Sequence, residues 1–452
     1  MLICSPGLSL SPCSTGLWPA LWVKRVACPT PGLPKRMLFR EAGESRSPVN
    51  HQLWHAIVLL FLLSVAFIFK LSLSPQTCFD KQVDLDRVKF LIAFDATRVP
   101  SIGFQTWSSP VSQMSMCKEL LYMYVYSTAA GSFEQAQMHA SRVLKEECHP
   151  YFAKKVMNRL FNKKYSTNLS PFIRQTTVAN SSLSKYTPPF GFHKYLSELQ
   201  DILVLMPKYD LPEELKSKQC KRCVVIGNGG ILHGLQLGHI LNQYDVAIRL
   251  NNAPVHGFSR DVGNKTTIRM AYPESATLSN LDYHHTDLFV AVLFKSVDFS
   301  WLQAILKNES LPLWIQLFFW KQVADKIPLN SKQFRILNPL IIKETAFDLL
   351  GYPEPRRKWW DWDKNVPTLG IMALILATHL CDEVSLAGFG YNLGQPDARL
   401  HYFDNQCMTE MQKQYMHDVA EETKFLKKLV RGGAVKDLTG GIHCEFCKDV
   451  NS

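Results

Sequence analysis

The stretch that decides the fold is CVVIGNGGILHGLQLGHILNQYDVAIRLNNAP, from Cys223 to Pro254. It begins with a predicted strand of mainly β-branched residues, which is followed by a glycine turn at residues 227–230 (GNGG). Leu232 to Gln243 has the composition of a helix, and Asp245 to Leu250 that of a second strand. From Phe190 onwards, short apolar strands alternate with helical stretches, which predicts an α/β domain with a mostly parallel sheet and crossover helices.

The glycine turn indicates a phosphate site, because such a turn lets backbone N–H groups approach a phosphate and aims a helix N-terminus at it. The fingerprint of a dinucleotide dehydrogenase does not fit, since Leu232 occupies its third glycine position and Asn251 its acidic ribose position. Asn228 and Asn251 instead offer neutral amides at the two strand ends. The segment predicts a site for a nucleotide with one phosphate, with an ordinary glycine turn as the alternative.

A second unit of the same kind lies near the C-terminus. Residues 367–370 (PTLG) lead into an apolar helix from Ile371 to His379, and a strand from Val384 to Ala387 ends in GFG at 388–390. This turn again presents amides and a hydroxyl at a helix N-terminus. Two such units that face one cleft would enclose a nucleotide from both sides.

Two histidines follow, His401 in HYFD and His417 at the start of HDVAEETKFLKKLV. Histidine titrates near neutrality and suits a general base that removes a hydroxyl proton, although an isolated histidine is more commonly a surface or capping residue. Glu421 and Glu422 lie about one helical turn beyond His417. Which of the two would orient the imidazole depends on where the helix starts.

The N-terminal part predicts a membrane anchor. LWHAIVLLFLLSVAFIF begins at Leu53, and basic residues outnumber acidic ones before it, so we expect a type II signal-anchor rather than a cleaved signal peptide or a core helix. The predicted organisation is a disordered cytosolic tail at 1–52, a span at 53–73, a lumenal stem at 74–130 and a catalytic domain at 131–452. Helical periodicity starts at Phe133, and Pro150 separates a second helix.

The cysteines and sequons agree with a lumenal domain. Nine of the 12 cysteines follow the predicted span, so at least one is free or pairs between chains. The CxxC pairs Cys220/Cys223 and Cys444/Cys447 allow a zinc site, but disulfides are favoured in the lumen. Glycosylation is predicted at three sequons, Asn168, Asn180 and Asn308, whereas a fourth, Asn264, lies inside the segment that follows the glycine turn.

Charge and composition exclude some functions. The net charge of +11 is spread without a long basic run, so it predicts anionic substrates and membrane surfaces rather than nucleic acid. Two DxD sequences, at 84–86 and 361–363, are expected to be surface loops rather than metal ligands. The apolar run LPLWIQLFFW, from Leu311 to Trp320, is expected in the core, with a lipid surface as the alternative.

The motifs together resemble those of the animal sialyltransferases. The large motif corresponds to CVVIGNGG, RLNNAPV and DVGNKTTIRMAYPESA, the small motif to PTLG with LATHLCDEVSLAGFG, the third to HYFD, and the very small one to His417–Glu422. They occur in the family's order over roughly the last 230 residues. The fold implied is a variant glycosyltransferase A type, with a single Rossmann-like sheet flanked by helices.

The resemblance also implies the roles of individual residues. Asn228 and Asn251 would hold the CMP part of CMP-sialic acid, with Thr368, Gly370 and Gly390 on the other side. His401 would contact the departing phosphate, His417 would act as base and Glu422 would belong to the catalytic group. Cys223 and Cys381 would form the disulfide that joins the two large motifs, and no metal cofactor is expected.

The implied reaction is an inverting transfer of sialic acid to the 3-hydroxyl of a terminal galactose in the Golgi lumen. Further segments, among them RILNPLIIKETAFDLL, resemble the members that act on lactosylceramide. Another galactose-ended glycolipid or glycoprotein, a different nucleotide-sugar transferase and a non-catalytic lectin are the alternatives. Self-association into a homo-oligomer stays open.

Overall fold

A seven-stranded, fully parallel sheet is the centre of the fold in the computed structural model, which describes residues 133–178, 181–209, 211–355, 366–414 and 416–447. Its order is β5-β4-β3-β2-β1-β6-β7. The strands are β1 (Arg222–Ile226), β2 (Val246–Leu250), β3 (Thr266–Ala271), β4 (Thr286–Ala291), β5 (Phe334–Ile336), β6 (Glu383–Ala387) and β7 (Lys436–Asp437). The predicted parallel α/β sheet is confirmed.

The order of the strands places a topological switch point between β1 and β6. The chain builds outward from β1 to β5 and then returns to pair β6 with the other side of β1, in register at Cys223 and Val384. In open α/β sheets, ligands bind outside the carboxyl ends of the strands at such a point. The turns that follow β1 and β6 are the two glycine segments predicted to form the site.

Helices cover the two faces of the sheet. The longer ones are α1 (133–145), α2 (Phe152–Phe161), α3 (Leu196–Val204), α4 (Ser296–Lys307), α5 (Leu369–Leu380) and α6 (Val419–Arg431). Short helices span Glu213–Lys216, Gly238–Leu241, Ser259–Val262, Leu313–Gln316, Pro339–Lys343 and Thr409–Lys413, and a π-helical turn spans Glu344–Leu349. Single 3₁₀ turns span Asn162–Lys164, Gln175–Thr177, Ser181–Ser184, Gly230–Leu232, Pro273–Ser275, Asn280–Tyr283 and Ser331–Gln333.

Helix α5 is the buried centre of the largest core cluster. It is apolar on all sides, and every one of its residues except Gly370 is buried, because it packs between other helices and strands β1, β2 and β6. By contrast, α6 buries one stripe that includes Phe425, Leu426 and Leu429 and leaves its charged side in water. Both helices are therefore fixed by the core on their buried sides.

Disulfides join distant parts of this domain. Cys223 in β1 is bonded to Cys381 after α5, as the family resemblance implied, and Cys148 is bonded to Cys220. Cys444 and Cys447 are bonded to each other, and Cys407 is disulfide-bonded as well. The two CxxC pairs therefore do not share a zinc ion, and the expectation of disulfides is confirmed.

The helix predicted from Leu232 to Gln243 is wrong. Only Gly238–Leu241 is α-helical, because Gly234 and Gln236 adopt left-handed backbone angles with φ of 82° and 50°. The Asp261 carboxylate accepts hydrogen bonds from the backbone N–H groups of both residues, at 2.9 Å each, and stabilises the irregular path. The first glycine turn is therefore not followed by a helix whose N-terminus faces a phosphate.

The prediction that Leu311–Trp320 packs in the core is wrong for most of its residues. Leu311, Ile315 and Phe319 are buried, at the spacing of one helical face. The other large apolar residues are exposed, namely Leu313, Trp314, Leu317, Phe318 and Trp320. The segment covers the core with one face only.

Other predictions concern the surface and the N-terminus. Asn168, Asn264 and Asn308 are exposed, and Asn180 lies outside the described residues. Within the described ranges, no helix is long and apolar enough to cross a membrane. The predicted tail, span and stem at 1–130, and both DxD sequences, lie outside these ranges.

Candidate active site

The first corner of the site is the glycine turn after β1. Its amides are used within the protein: Gly227 N–H donates to the Ala387 carbonyl at 2.8 Å, and Gly229 N–H donates to the Gly388 carbonyl at 3.1 Å. A Cβ atom at Gly227 would lie 2.5 Å from the Gly388 oxygen. These glycines therefore permit the turns after β1 and β6 to touch, which corrects the expectation that their N–H groups face a phosphate.

Two asparagine side chains at this corner have unsatisfied oxygens. The Oδ1 atoms of Asn228 and Asn251 are buried and have no hydrogen-bond partner in the protein. A buried polar atom without a partner costs about 1–3 kcal/mol, which a ligand that donates a hydrogen bond would recover. Nucleotide hydroxyl and amino groups are such donors, so both asparagines fit their predicted role.

The Asn251 backbone is held in place by a buried cation. Asn251 has a left-handed φ of 57°, a conformation that asparagine tolerates better than most residues. The Arg269 guanidinium donates to the Asn251 carbonyl at 3.0 Å and to the Ala253 carbonyl at 3.1 Å. The amide side chain therefore starts from a fixed backbone at the carboxyl end of β2.

The second corner consists of the N-terminus of α5, capped by Thr368, and the turn after β6 at residues 388–390. Thr368 Oγ1 accepts a hydrogen bond from Ile371 N–H at 3.4 Å. The Phe389 ring fills the space between the two corners, because a Cβ atom added at either Gly227 or Gly370 would lie 3.1 Å from it. The N-terminus of a helix of 12 residues thus lies beside the first corner.

Gly390 supports this arrangement through packing. It adopts φ of 96°, and a Cβ atom there would lie 2.1 Å from the Gly441 oxygen. The structure thus requires glycine for backbone contact at this position, while a contact between Gly390 and substrate stays a prediction.

His417 lies beside the second corner with one ring nitrogen occupied. Its Nδ1 is 2.8 Å from the Val366 carbonyl oxygen, two residues before Thr368. Because a carbonyl oxygen only accepts, Nδ1 carries the proton in this hydrogen bond and the neutral ring has its lone pair on Nε2. Burial lowers the pKa of His417 below 6.5, against the smaller opposing effect of the Val366 hydrogen bond, so the imidazole is neutral at physiological pH.

Glu422 has a different partner from the one predicted. Its carboxylate accepts from Thr368 N–H and from Thr368 Oγ1–H, both at 2.6 Å, and the carbonyl of Val366 takes the orienting position at His417. The prediction that Glu421 or Glu422 orients the imidazole is therefore not what the structure shows. The physical reason is that α6 begins at Val419, with Asp418 as its N-cap, so His417 precedes the helix.

Burial dominates the titration of Glu422. It raises the pKa of Glu422 to about 7, although the two hydrogen bonds from Thr368 favour the charged form. A carboxyl group that changes charge near neutrality therefore joins α6 to the N-cap of α5.

The HYFD segment connects the site from the opposite side. His401 forms a β-bridge with Gly229, and its Nδ1 pairs with Asp404 Oδ2 at 2.9 Å. Its ring is stacked parallel to Phe403, with centroids 5.1 Å apart. Tyr402 N–H donates to the Asn228 carbonyl at 3.0 Å, and the Tyr402 hydroxyl donates to the Pro254 carbonyl at 2.6 Å.

The structure thus brings the predicted residues of the two corners and both histidines into one connected region. Three contributors were missed by reasoning from the sequence: the Val366 carbonyl, Tyr402 and Asp404. The spacing of Asp404 three residues after His401 was a usable signal for an Asp–His pair. No side-chain pattern marks a backbone carbonyl such as that of Val366.

The model of glycosyltransferase family 29 (sialyltransferase) matches residues 172–434, which include both corners and both histidines. The chain belongs to this sialyltransferase family.

Individual relatives agree with this assignment. The chain is 64% identical over 313 residues to the lactosylceramide alpha-2,3-sialyltransferase of Pan troglodytes, covering 69% of this chain and 86% of that protein. The human protein of the same name is also 64% identical over 313 residues, which cover 69% of this chain and 75% of that protein. The crystal structure of a mammalian sialyltransferase is similar in fold, with a TM-score of 0.50 at 22% identity over 64% of this chain and 97% of that one.

For this sialyltransferase, the resemblance read from the motifs is confirmed, and so is the Rossmann-like parallel sheet. In the part of the chain that the structure describes, no group of three or more histidine, cysteine or acidic side chains is arranged to hold a metal ion. Within the same described part, the site contains the neutral imidazole of His417, the ring of His401 and two buried asparagine oxygens without partners.

Proposed function

We propose that this sialyltransferase transfers sialic acid from CMP-N-acetylneuraminate to the 3-hydroxyl of the terminal galactose of lactosylceramide. The observation that supports this reaction is the hydrogen bond from His417 Nδ1–H to the Val366 carbonyl beside the N-terminus of α5, which leaves Nε2 able to accept a proton. The acceptor rests on the 64% identity to proteins named for lactosylceramide.

The attack step follows from the tautomer of His417. Nε2 accepts the proton of the galactose 3-hydroxyl while that oxygen attacks the anomeric carbon of sialic acid. The bond from that carbon to the phosphate oxygen breaks on the opposite face, so the configuration inverts in a single displacement. A neutral base is required, and the lowered pKa of His417 keeps it neutral.

Departure of CMP concentrates negative charge on one phosphate. The positive end of α5 and the imidazole of His401 are the groups that stabilise this charge. The Asp404 carboxylate pairs with Nδ1 of His401 and leaves Nε2 as the ring nitrogen for the phosphate. Nε2 donates to the phosphate when His401 is an imidazolium, in which both ring nitrogens carry protons. The amides of Asn228 and Asn251 hold the nucleoside part through their unpaired oxygens.

The base assignment is tested with His417→Ala in the full chain. We expect kcat to fall by about 10²- to 10⁴-fold, the usual effect of removing a general base, with little change in the thermal unfolding midpoint. The exposed His193, whose ring Nδ1 lies 3.0 Å from the Ser184 carbonyl oxygen, supplies the matched control His193→Ala. Near-native activity of the His417 variant would exclude it as the base.

The pH profile gives an independent readout of the same residue. Because burial lowers the pKa of His417 from 6.5, the acidic loss of kcat/KM should lie below pH 6.5. As the pH falls, activity should be lost when His417 becomes protonated.

The acceptor is tested by comparing initial rates on lactosylceramide, other galactose-ended glycolipids and galactose-ended glycoproteins, with CMP-sialic acid or UDP-galactose as donor. Preference for lactosylceramide with CMP-sialic acid supports the proposal. Faster transfer to glycoprotein galactose would replace the acceptor, and transfer from UDP-galactose would replace the reaction.

The proposed location is the Golgi membrane, with a type II anchor at 53–73 and the catalytic domain in the lumen. Support comes from the basic residues before the apolar run and from the Cys148–Cys220 and Cys223–Cys381 disulfides, which persist in an oxidising compartment. Protease protection of sealed Golgi vesicles tests this: digestion of the catalytic domain from outside would reverse the topology.

A further inference from the structure

An exposed apolar face lies on the segment that follows α4. Five of its large apolar residues are exposed within eight positions, with Leu317 at 85% and Trp314 at 64% exposed. Nine other large apolar residues of the described ranges are exposed, and they are scattered along the chain. This set, the apolar face, consists of Leu313, Trp314, Leu317, Phe318 and Trp320.

The apolar face is held firmly from beneath. Leu311, Ile315 and Phe319 are buried in the second core cluster. Gln316 Nε2 donates to the Leu311 carbonyl at 2.9 Å, and the buried Trp301 indole donates to the Ala324 carbonyl at 2.8 Å. The exposure therefore belongs to an anchored surface, and concentrated apolar exposure of this kind marks an interaction site.

One end of the apolar face lies at the same edge of the sheet as the active site. The Lys295 ammonium sits 4.7 Å from the centre of the Phe319 ring and forms an ion pair with Glu274 at 2.8 Å. Lys295 follows β4 and Glu274 follows β3, so both lie at carboxyl ends of strands. The corners that hold the donor are at the carboxyl ends of β1 and β6.

The chemistry of the apolar face matches a lipid surface. Tryptophan, phenylalanine and leucine beside lysine are the residues that occupy the boundary between headgroups and acyl chains. The Lys321 ammonium lies 5.3 Å from the centre of the Trp320 ring, and Lys326 is also exposed. Between Leu311 and Lys332 there are three lysines and one acidic residue, a surplus of positive charge that suits contact with the phosphate groups of lipid headgroups.

We propose that the apolar face rests in the lipid surface that carries the acceptor and turns the active-site edge toward the glycolipid headgroup. A tether alone keeps the domain near the membrane without orienting it. Contact through five apolar side chains at the active-site edge would restrict the domain to orientations in which a short headgroup reaches His417. The proposal rests on the proposed function for its glycolipid acceptor, but not for the lipid contact itself.

The test uses the full chain, reconstituted in phosphatidylcholine–phosphatidylserine vesicles that contain lactosylceramide. The variant Leu313→Ser/Leu317→Ser/Phe318→Ser keeps both tryptophans and the buried residues. The control Met138→Ser/Val204→Ser removes exposed apolar side chains elsewhere, which are 66% and 74% exposed. Two quantities are measured: the ratio of rates on lactosylceramide and free lactose, and the quenching of tryptophan fluorescence by lipids brominated in the acyl chain.

We expect the variant to lose about tenfold in rate on vesicle lactosylceramide, since three apolar contacts with lipid are removed. Its rate on free lactose should equal that of the parent, its tryptophan quenching should fall, and the control should match the parent in both quantities. If no form of the enzyme uses lactosylceramide but quenching falls as expected, the proposed function fails and the lipid contact stands.

Three results would overturn the lipid contact. Unchanged quenching in a folded variant shows that the tryptophans do not meet acyl chains. If the variant loses the same fraction of its rate on lactosylceramide and on free lactose and unfolds at a lower temperature, another part of the chain covers the apolar face. A change from dimer to monomer in detergent, with quenching unchanged, assigns the face to a second copy of the chain.

Discussion

Asn251 combines two demands at one position. Its backbone is left-handed, and its side-chain oxygen is buried without a partner. Substitution by alanine would mix strain with the loss of the amide, since an L-residue with a Cβ pays about 1–2 kcal/mol in this conformation. Substitution by glycine separates the two, because glycine adopts the conformation freely.

We predict that Asn251→Gly weakens CMP binding by about 5- to 100-fold, the value of a hydrogen bond to an otherwise unpaired buried group. The measurement is titration calorimetry with CMP. Asn162→Gly is the matched control, because Asn162 is exposed and also has a positive φ, of 54°. Equal CMP affinity in both variants would remove Asn251 from the nucleotide site.

Glu422 gives a prediction for stability against pH. Burial raises its pKa from 4.5 to about 7 in the folded state. A raised pKa means that the folded state binds the proton more tightly than the unfolded one, so this contribution is complete below pH 4.5 and is lost as the pH rises through about 7.

The unfolding midpoint of the wild-type chain should therefore fall between pH 5 and 8 more steeply than that of Glu422→Gln, which mimics the protonated carboxyl. Thermal unfolding across this range measures the difference. Glu421→Gln is the control, because Glu421 pairs with Lys424 on the exposed side of α6. Parallel curves for wild type and Glu422→Gln would refute the assignment.

At the scale of elements, the contact between the turns after β1 and β6 decides the shape of the site. A Cβ atom at Gly229 would lie 2.6 Å from the Gly388 oxygen, which is backbone and cannot rotate away. We predict that Gly229→Ala lowers the free energy of unfolding by about 1–3 kcal/mol, the usual cost of overpacking, and lowers activity further by separating the corners.

Denaturant unfolding and donor KM measure these two effects. Gly394→Ala is the matched control, since its nearest neighbour would be the Asn392 side chain at 3.3 Å. A Gly229 variant as stable and active as this control would show that the corners need not touch.

The sequence predicted the secondary-structure elements that are determined by their own residues. The strands β1, β2 and β6 and the helix α5 follow from continuous apolar runs, and the site edge follows from the two glycine turns. Leu232–Gln243 failed because the hydrogen bonds that bend it come from Asp261, more than 20 residues away. His417 was found from its residue type, but its partner Val366 is a carbonyl 51 residues distant, which no spacing rule identifies.

At the scale of the whole molecule, we expect the proposed sialyl transfer to need no divalent cation. CMP leaves as a monophosphate, with less charge to neutralise than a nucleoside diphosphate, and α5 and His401 supply positive potential for it.

We therefore predict that the full-length enzyme keeps its activity in EDTA, measured as initial rate on lactosylceramide. The same assay with a manganese-dependent galactosyltransferase verifies that the chelator is effective. Complete loss of activity that manganese restores would contradict the prediction.

The Cys223–Cys381 cross-link makes the stability of the fold depend on the redox state of the surroundings. Cys223 lies in β1, four residues before the glycine turn at the first corner. Cys381 directly follows α5, the helix whose N-terminus belongs to the second corner. The bond between them closes a loop of 158 residues. In chain-entropy terms such a closure stabilises the fold by about 5 kcal/mol. In a newly made chain with both thiols reduced, packing and the hydrogen bonds between β1 and β6 would hold these parts together without the cross-link, so the reduced enzyme would unfold more readily.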